Sequence, residues 1–239
     1  MRRFYAPPQN TTGTEIRLDA DETRHLRDVL RLHVGDEVFV FDGEGNEYRC
    51  SIALVEKKSS QLKAVEKVVP ASPESNLDLT LAAAVLKGDK FDLVIQKSVE
   101  LGVTAIVPIS TIRTDIKLKT GDKRTERWRR IALEATKQCG RARLMQISEP
   151  LSFQSLIEGS EGQNPIIFSE RDGESFSVLK ELKSVTAIIG PEGGWEDSEL
   201  ELARSHACRI ITLGGRTMRA ETAAMSIAAV LQHRFGDLN

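Results

Sequence analysis

The chain has 239 residues, a net charge of −2, and a composition of 40% hydrophobic and 28% charged residues, which is that of a globular protein. It contains no apolar run near the roughly 18 residues that a membrane-spanning helix needs. The basic N-terminus is not followed by the apolar core of a signal peptide. We therefore expect a cytoplasmic protein that does not contact a membrane, with one large domain or a small domain joined to a medium-sized one.

The N-terminal part of the sequence reads mostly as short strands. A helix capped by Asp19 or Asp21 and running to Arg31 interrupts them. The predicted strands cover residues 15–18, 37–41, 47–55 and 61–69. Several short strands separated by turn residues predict a small barrel or sandwich.

A segment rich in proline and serine follows these strands and is the clearest linker in the chain. We place a first domain at residues 1–70, the linker at 71–76 and a second domain at 77–239.

Strands alternate with helices after the linker. The predicted strands cover residues 77–86, 103–109, 165–169, 185–190 and 209–213, and the helices cover 90–101, 125–139, 197–205 and 221–235. Gly102 stands where a glycine commonly ends a helix. This alternation, with apolar strands typical of burial on both faces, predicts a mainly parallel α/β sheet.

The charges of the chain are unevenly distributed. Residues 113–145 hold many more Lys and Arg than Asp and Glu, whereas residues 146–239 carry an excess of acidic residues. A basic stretch on an acidic body can bind a phosphate backbone in one place. A solvated helix face is the alternative interpretation of this stretch.

The three cysteines, Cys50, Cys139 and Cys208, are widely spaced and form no CxxC pair. The sequence therefore predicts neither a zinc site nor a disulfide framework, and we expect no bound metal. We interpret the cysteines as buried or neutral thiols, with a nucleophile at Cys139 as the alternative.

Two predicted strands end in glycine-rich turns. One is followed by Gly190–Gly194 and the other by Gly214–Gly215. We expect these strands to be neighbours whose turns share a ligand pocket, because ligands of open α/β sheets bind at the carboxyl ends of strands. A tight strand-to-helix turn without a ligand is the alternative. The GxGxxG and Walker fingerprints are absent, which disfavours a nicotinamide dehydrogenase or an NTPase.

Motifs along the whole chain resemble the bacterial 16S rRNA uracil-N3 methyltransferases, the RsmE family of the SPOUT class. The matching positions are Arg2-Arg3-Phe4, Val29-Leu30-Arg31, Gly35-Asp36, Lys97, Glu100-Leu101-Gly102-Val103, Pro108, Arg113, Arg127-Trp128, Glu134-Ala135, Gln138-Cys139-Gly140-Arg141, Gly190-Pro191-Glu192-Gly193-Gly194, Leu213-Gly214 and Met218-Arg219-Ala220-Glu221-Thr222-Ala223. The sequence departs from the pattern of the family at Gly215, Thr217-Met218, Ala220 and Glu196-Asp197-Ser198. None of these departures removes a glycine of the predicted pocket.

The resemblance implies an α/β fold in which a PUA-like β-barrel that binds RNA precedes a SPOUT domain with a C-terminal trefoil knot. It also implies S-adenosylmethionine as the cofactor, a homodimer, and a uridine of 16S rRNA in the small ribosomal subunit as the substrate. One alternative is a SPOUT enzyme that methylates ribose. Two others are a non-catalytic RNA-binding or ribosome-assembly factor, and a small-molecule α/β enzyme with a nucleotide cofactor.

The resemblance and the chemistry of methyl transfer together suggest site residues. Uracil N3 is a poor nucleophile until it loses its proton, so we predict Arg219 and Glu221 as catalytic residues. The predicted cofactor contacts are Phe168, Ser169, Gly190, Pro191, Glu192, Gly193, Gly194, Leu213, Gly214, Met218, Arg219, Thr222 and Ala223. The predicted RNA contacts are Arg2, Arg3, Arg113, Arg127 and Arg141.

Overall fold

The computed structural model of the protein describes residues 2–116, 121, 123–160 and 164–238. It divides into two compact units. The N-terminal unit comprises Met1–Glu74 and Thr136–Leu144, and the C-terminal unit comprises Ser75–Ala135 and Met145–Asn239. The division falls inside the predicted linker, but the sequence did not indicate that residues 136–144 pack with the N-terminal unit.

The described residues of the N-terminal unit form one six-stranded sheet. Its elements are β1 (Arg3–Tyr5), β2 (Thr11–Thr12), β3 (Glu15–Leu18), α1 (Ala20–Arg24), β4 (Glu37–Phe41), β5 (Glu47–Val55) and β6 (Ser60–Val68). The strand order is β1-β4-β5-β6-β3-β2, and β1 pairs with β4 in parallel while the other pairings are antiparallel. The predicted small β domain is thereby confirmed.

Successive side chains of these strands point to opposite faces of the sheet, and the side chains of one face form a core. In β3, Ile16 and Leu18 are buried while their neighbours in the strand are exposed, as a period of two requires. Asp19 caps α1, because its side chain accepts hydrogen bonds from the backbone nitrogens of Asp21 and Glu22 at 3.0 and 2.9 Å.

Arg3 is an ionic residue in the interior of the N-terminal unit. Its side chain is only 1% exposed; Nε donates to Glu47 at 2.6 Å, and two other nitrogens donate to the carbonyls of Thr136 and Arg141 at 3.0 and 2.9 Å. Two further ion pairs, Lys137 with Glu22 and Arg141 with Glu74, add to this connection. These buried hydrogen bonds and ion pairs explain why residues 136–144 pack with the N-terminal unit.

The described part of the C-terminal unit contains an eight-stranded sheet flanked by helices. Its elements are β7 (Asp78–Ala84), α2 (Lys90–Glu100), β8 (Ala105–Ser110), α3 (Lys123–Cys139, whose last residues belong to the N-terminal unit), β9 (Gln146–Ile147), β10 (Leu151–Ser152), α4 (Phe153–Glu158), β11 (Pro165–Phe168), β12 (Glu174–Ser175), β13 (Ser184–Ile189), α5 (Asp197–Ser205), β14 (Arg209–Thr212) and α6 (Ala220–Phe235). The strand order is β10-β8-β7-β13-β11-β14-β12, with β9 beside β8, and the pairings are parallel.

The predicted parallel α/β architecture is confirmed, and its core follows from the apolar strands. Residues such as Ile167, Ile188 and Ile210 pack with side chains from α4 and α5. Gly102 ends α2 at a φ of +72°, where a residue with a Cβ is strained. No helix in the described ranges is both long enough and apolar enough to cross a membrane.

The buried position of Arg3 leads to a stability prediction. Arg3→Ala leaves Glu47 as an uncompensated buried carboxylate and removes the donors of two buried carbonyls. We expect the free energy of unfolding to fall by about 3–5 kcal/mol, measured by urea denaturation. The control is Arg17→Ala, at an exposed position of β3, for which we expect a change within about 0.5 kcal/mol. Equal effects of the two substitutions would contradict a structural role for Arg3.

Candidate active site

Three loops meet at the carboxyl edge of the parallel sheet. Strand β11 lies between β13 and β14, and its last residue, Phe168, is in register with Ile189 of β13 and Ile211 of β14. The prediction that β13 and β14 are neighbours was therefore wrong. Sheet order depends on long-range pairing, and nothing local in the sequence indicated that β11 separates the two strands. The two glycine turns nonetheless lie at one edge, because all three strands run in the same direction.

These loops, with the start of α2 and the first turns of α6, enclose a cavity of about 710 Å³. Most of the predicted cofactor contacts line it: Phe168, Ser169, Gly190, Pro191, Glu192, Gly193, Gly194, Leu213, Met218, Arg219 and Ala223. Gly214 and Thr222 are exposed and do not belong to its lining. Arg216 and Thr217, which lie in the second glycine loop between the predicted contacts Leu213 and Met218, also line the cavity. The lining residues that the sequence did not indicate are Lys90, Glu170, Ile189, Trp195, Ala220 and Ile227.

The indole of Trp195 supports the first glycine turn from inside the core. Trp195 is 1% exposed, its Nε1 donates to the carbonyl oxygen of Phe168 at 3.0 Å, and its ring lies 5.0 Å from that of Phe153. A Cβ placed on Gly190 would lie 2.9 Å from this indole. Glycine at position 190 is therefore required by protein packing, before any ligand is considered.

The other two glycines of the turn also have protein neighbours. A Cβ on Gly193 would lie 3.1 Å from the Cβ of Arg113, and a Cβ on Gly194 would lie 3.1 Å from a carboxylate oxygen of Glu170. Gly194 also has a φ of +72°, and its nitrogen donates to the carbonyl of Pro191 at 3.0 Å, which closes the turn. The glycines thus permit close packing of the turn as well as close approach of a ligand.

Lys90 contributes a positively charged side chain to the cavity from the start of α2. It is the first residue of α2, and its Nζ donates to Glu192 of the first glycine turn at 2.5 Å. Strand β7, which precedes α2, pairs directly with β13. The sequence could have indicated Lys90 only if the sheet order had been known, because its helix follows a strand that neighbours β13.

The second glycine loop carries two exposed arginines, Arg216 and Arg219, and leads into α6. Within the described ranges, neither guanidinium has an ion pair within 4 Å. Glu221 lies in the first turn of α6, outside the cavity lining, and its Oε2 is buried with no hydrogen-bond partner among the described atoms. Buried carboxylate oxygens normally accept a hydrogen bond, so this oxygen lacks the donor that a buried polar atom usually has. The two predicted catalytic residues therefore lie two positions apart in the chain, one exposed to the cavity and one partly buried.

The structure requires a correction to the predicted RNA contacts. The guanidinium groups of Arg3 and Arg141 are buried and bonded within the N-terminal unit, so they have no exposed surface for a phosphate. The sequence showed which residues are basic but not which of their side chains face inward. Arg2 is exposed. Arg127 is half exposed and pairs with Asp89 and Asp92, while Arg113 binds Gly193 and Glu196 of the C-terminal unit.

Cys50 and Cys208 are buried, in agreement with the interpretation of the cysteines as buried or neutral thiols. Burial raises the pKa of Cys50 to about 12 and also raises the pKa of Cys208. Cys139 belongs to the N-terminal unit and donates to the carbonyl of Thr136 at 3.8 Å. Among the described residues, no group of three or more His, Cys, Asp and Glu side chains is arranged to hold a metal ion.

Comparison with known proteins identifies the family. Residues 73–232 match the model of an RNA methyltransferase domain, and residues 18–65 match that of an RNA methyltransferase PUA domain. The ribosomal RNA small subunit methyltransferase E of Aquifex aeolicus is 32% identical over 98% of this chain and 100% of its own length. The corresponding protein of Synechocystis is 32% identical over 92% of this chain and 74% of its own length.

Two solved structures of similar proteins match the fold of this chain over its whole length. A putative methyltransferase from Legionella pneumophila, solved with the cofactor SAM, superposes with a TM-score of 0.91 at 32% identity, covering 99% of both chains. The ribosomal RNA small subunit methyltransferase E of Neisseria gonorrhoeae, solved with S-adenosyl methionine, also gives a TM-score of 0.91, at 29% identity and full coverage of both chains. The chain therefore belongs to the RNA methyltransferase family that includes the bacterial ribosomal RNA small subunit methyltransferases E.

Proposed function

We propose that this protein transfers the methyl group of S-adenosylmethionine to N3 of a uridine in the 16S rRNA of the small ribosomal subunit. The observation that carries the proposal is the cavity at the ends of β11, β13 and β14, in a chain whose fold matches SAM-bound relatives over its full length. The family supports the rRNA substrate, since its relatives are named for the small ribosomal subunit. The choice of uridine N3 rests on the resemblance of the motifs.

The cavity suits the size and chemistry of this cofactor. Its volume of about 710 Å³ is within the range of roughly 300–1,000 Å³ that is usual for pockets of this kind. Apolar side chains such as Leu213, Met218 and Ile227 offer a surface for the adenine ring, and the glycine turns offer main-chain groups. Glu170, Glu192 and Lys90 provide charges that can bind the amino-acid end of the cofactor or its sulfonium.

When bound, the cofactor supplies a methyl group on a positively charged sulfur, which a nucleophile attacks in line with the S–CH₃ bond. The protein contributes position and charge. Arg219, exposed at the cavity, can stabilise the negative charge on the uracil carbonyls as N3 loses its proton. Glu221, two residues further along at the start of α6 and with an unpartnered oxygen, would orient Arg219 or accept that proton once the substrate is bound.

We retain further expectations of the resemblance as parts of the proposal. These are a homodimer, a trefoil knot in the C-terminal part of the chain, and a cytoplasmic location where ribosomes are assembled. Of the predicted RNA contacts, the exposed position of Arg2 supports a contact with phosphate, and Arg127 keeps part of its guanidinium accessible.

The proposed reaction is tested by methylating small ribosomal subunits from a strain that lacks the modification. We expect one methyl group per subunit, located by mass spectrometry on the base of a single uridine of 16S rRNA at N3. Ribosomal subunits that already carry the modification serve as the control and take up no methyl group. A methyl group on ribose would replace the proposal with the ribose-methylating alternative, and no transfer would favour a non-catalytic RNA-binding factor.

A substitution that fills the cavity tests the cofactor site. Ala223 lines the cavity from the first turn of α6, so Ala223→Leu extends a larger side chain into the space proposed for the cofactor. We expect the affinity for S-adenosylmethionine, measured by calorimetry, to fall by about 5- to 150-fold, since overpacking costs roughly 1–3 kcal/mol.

The matched control for this experiment is Ala229→Leu, on the same helix but outside the cavity lining. We expect this variant to bind the cofactor as the unmodified protein does. Equal affinities of the two variants would argue against cofactor binding in this cavity.

Replacement of Arg219 tests the proposed stabilisation of the uracil anion. Arg219→Ala removes a cation that acts mainly in the transition state, so we expect kcat to fall by about 10²–10³-fold. The affinity for S-adenosylmethionine should change much less than kcat. Arg219→Lys should recover part of the rate, because it keeps the charge. Arg204→Ala, on the exposed side of α5, is the control, and normal turnover of Arg219→Ala would remove Arg219 from the mechanism.

A further inference from the structure

Arg113, in the loop that follows β8, binds the first glycine turn. Its Nη1 donates to the carbonyl of Gly193 at 2.8 Å, and its Nε donates to Glu196 at 2.8 Å. The aliphatic part of the side chain packs on Gly193, because a Cβ there would lie 3.1 Å from the Cβ of Arg113 and 3.3 Å from its Cδ. The sequence predicted Arg113 as an RNA contact, but its guanidinium is committed to protein acceptors.

Arg171, in the loop that follows β11, makes a corresponding set of contacts. Its Nη2 donates to the carbonyl of Trp195 at 3.1 Å and pairs with Asp197 at 2.7 Å. Its own loop is fixed as well, because the Arg171 nitrogen donates to Ser169 Oγ at 3.2 Å and its guanidinium pairs with Asp172 at 3.0 Å.

The two arginines therefore make the same pattern of contacts. Each comes from a loop at the carboxyl edge of the sheet, donates to a main-chain carbonyl of the segment 193–195, and pairs with an acidic residue at the start of α5. The pKa of Arg113 is raised, chiefly by its hydrogen bond to Glu196, and the positive charge of Arg171 opposes that shift. Two like charges are thus held near each other by two acidic residues.

A third contact to the same segment is made by the buried carboxylate of Glu199. Glu199 of α5 is buried; one carboxylate oxygen accepts from the nitrogen of Ile112 at 2.9 Å, and the other accepts from the nitrogen of Glu196 at 3.1 Å. The loop that carries Arg113 is therefore anchored to the helix that follows the glycine turn. The position of Arg113 is thus fixed by the backbone of its neighbour Ile112 as well as by its own side chain.

We propose that Arg113 and Arg171 are positioning residues that hold the turn Gly190–Trp195 in the conformation that binds S-adenosylmethionine. The inference rests on the proposed function. Exposed ion pairs alone contribute little to stability, but these side chains bind main-chain carbonyls of the turn that lines the cavity. If the turn also populates conformations that cannot bind, the apparent affinity falls by the fraction that is competent.

The test uses Arg113→Met and Arg171→Met, which keep an apolar stem and remove the donors. We expect each to weaken the affinity for S-adenosylmethionine, measured by calorimetry, by about tenfold or more, the usual effect of losing a charge-assisted hydrogen bond. Because both arginines hold one turn, the double variant should lose less than the product of the two single effects. Arg113→Lys should recover part of the affinity.

Kinetics separates positioning from a merely structural role or a catalytic one. The KM for S-adenosylmethionine should rise in both variants, while kcat at saturating cofactor should stay within about threefold, because neither arginine touches the reacting atoms in the proposal. RNA affinity measured without cofactor by filter binding should not change. A fall in RNA affinity with unchanged cofactor affinity would overturn the proposal and restore Arg113 as an RNA contact.

Two further variants keep the test decisive. Arg209→Met is the matched control, because Arg209 is an exposed arginine of the same sheet, pairs with Glu174 at 3.0 Å, and lies outside the cavity lining. If Arg113→Met does not fold, as shown by thermal unfolding, Glu196→Gln weakens the ion pair of Arg113 from a position outside the cavity lining. We expect it to weaken cofactor binding, and normal binding would overturn the proposal. Failure of the unmodified protein to bind the cofactor would instead contradict the proposed function.

Discussion

The indole of Trp195 lies where three parts of the C-terminal unit meet. It packs in the core, donates to the last carbonyl of β11, and occupies the space beneath Gly190 at the end of β13. Burial of an aromatic ring of this size is strongly favourable, and its N–H must find an acceptor. Because both conditions are met at one point, the first glycine turn is fixed to the sheet independently of any ligand. The cavity, and the arginines that bind the turn, depend on this arrangement.

Local sequence patterns were sufficient for most of the architecture. The bounds of α5 and of several strands, such as β3, β4 and β5, agree with the predictions, because their apolar period and flanking turn residues are local signals. The position of β11 between β13 and β14 was not predictable in this way, since sheet order is set by long-range pairing and by the packing of helices on both faces. Lys90 was missed for the same reason.

Charged residues were predicted less well than glycines. An arginine in a sequence indicates positive charge but not whether its guanidinium faces solvent or the interior, and Arg3 and Arg141 face the interior. The glycine turns were found because glycine has few other reasons to cluster at strand ends. Even there, the sequence indicated a ligand and did not indicate that Gly190 and Gly193 make room for Trp195 and Arg113. The pocket was thus foreseeable from sequence, whereas the contacts that shape it were not.

The return of residues 136–144 to the N-terminal unit has a consequence for dissecting the protein. The unit is built from two separate stretches of chain, so a single cut after residue 74 would remove the carbonyls of Thr136 and Arg141 that Arg3 binds, together with the ammonium of Lys137 that pairs with Glu22. A fragment made in that way would contain a buried arginine without its main-chain acceptors. Transferring this unit to another enzyme would therefore require transferring the end of α3 with it.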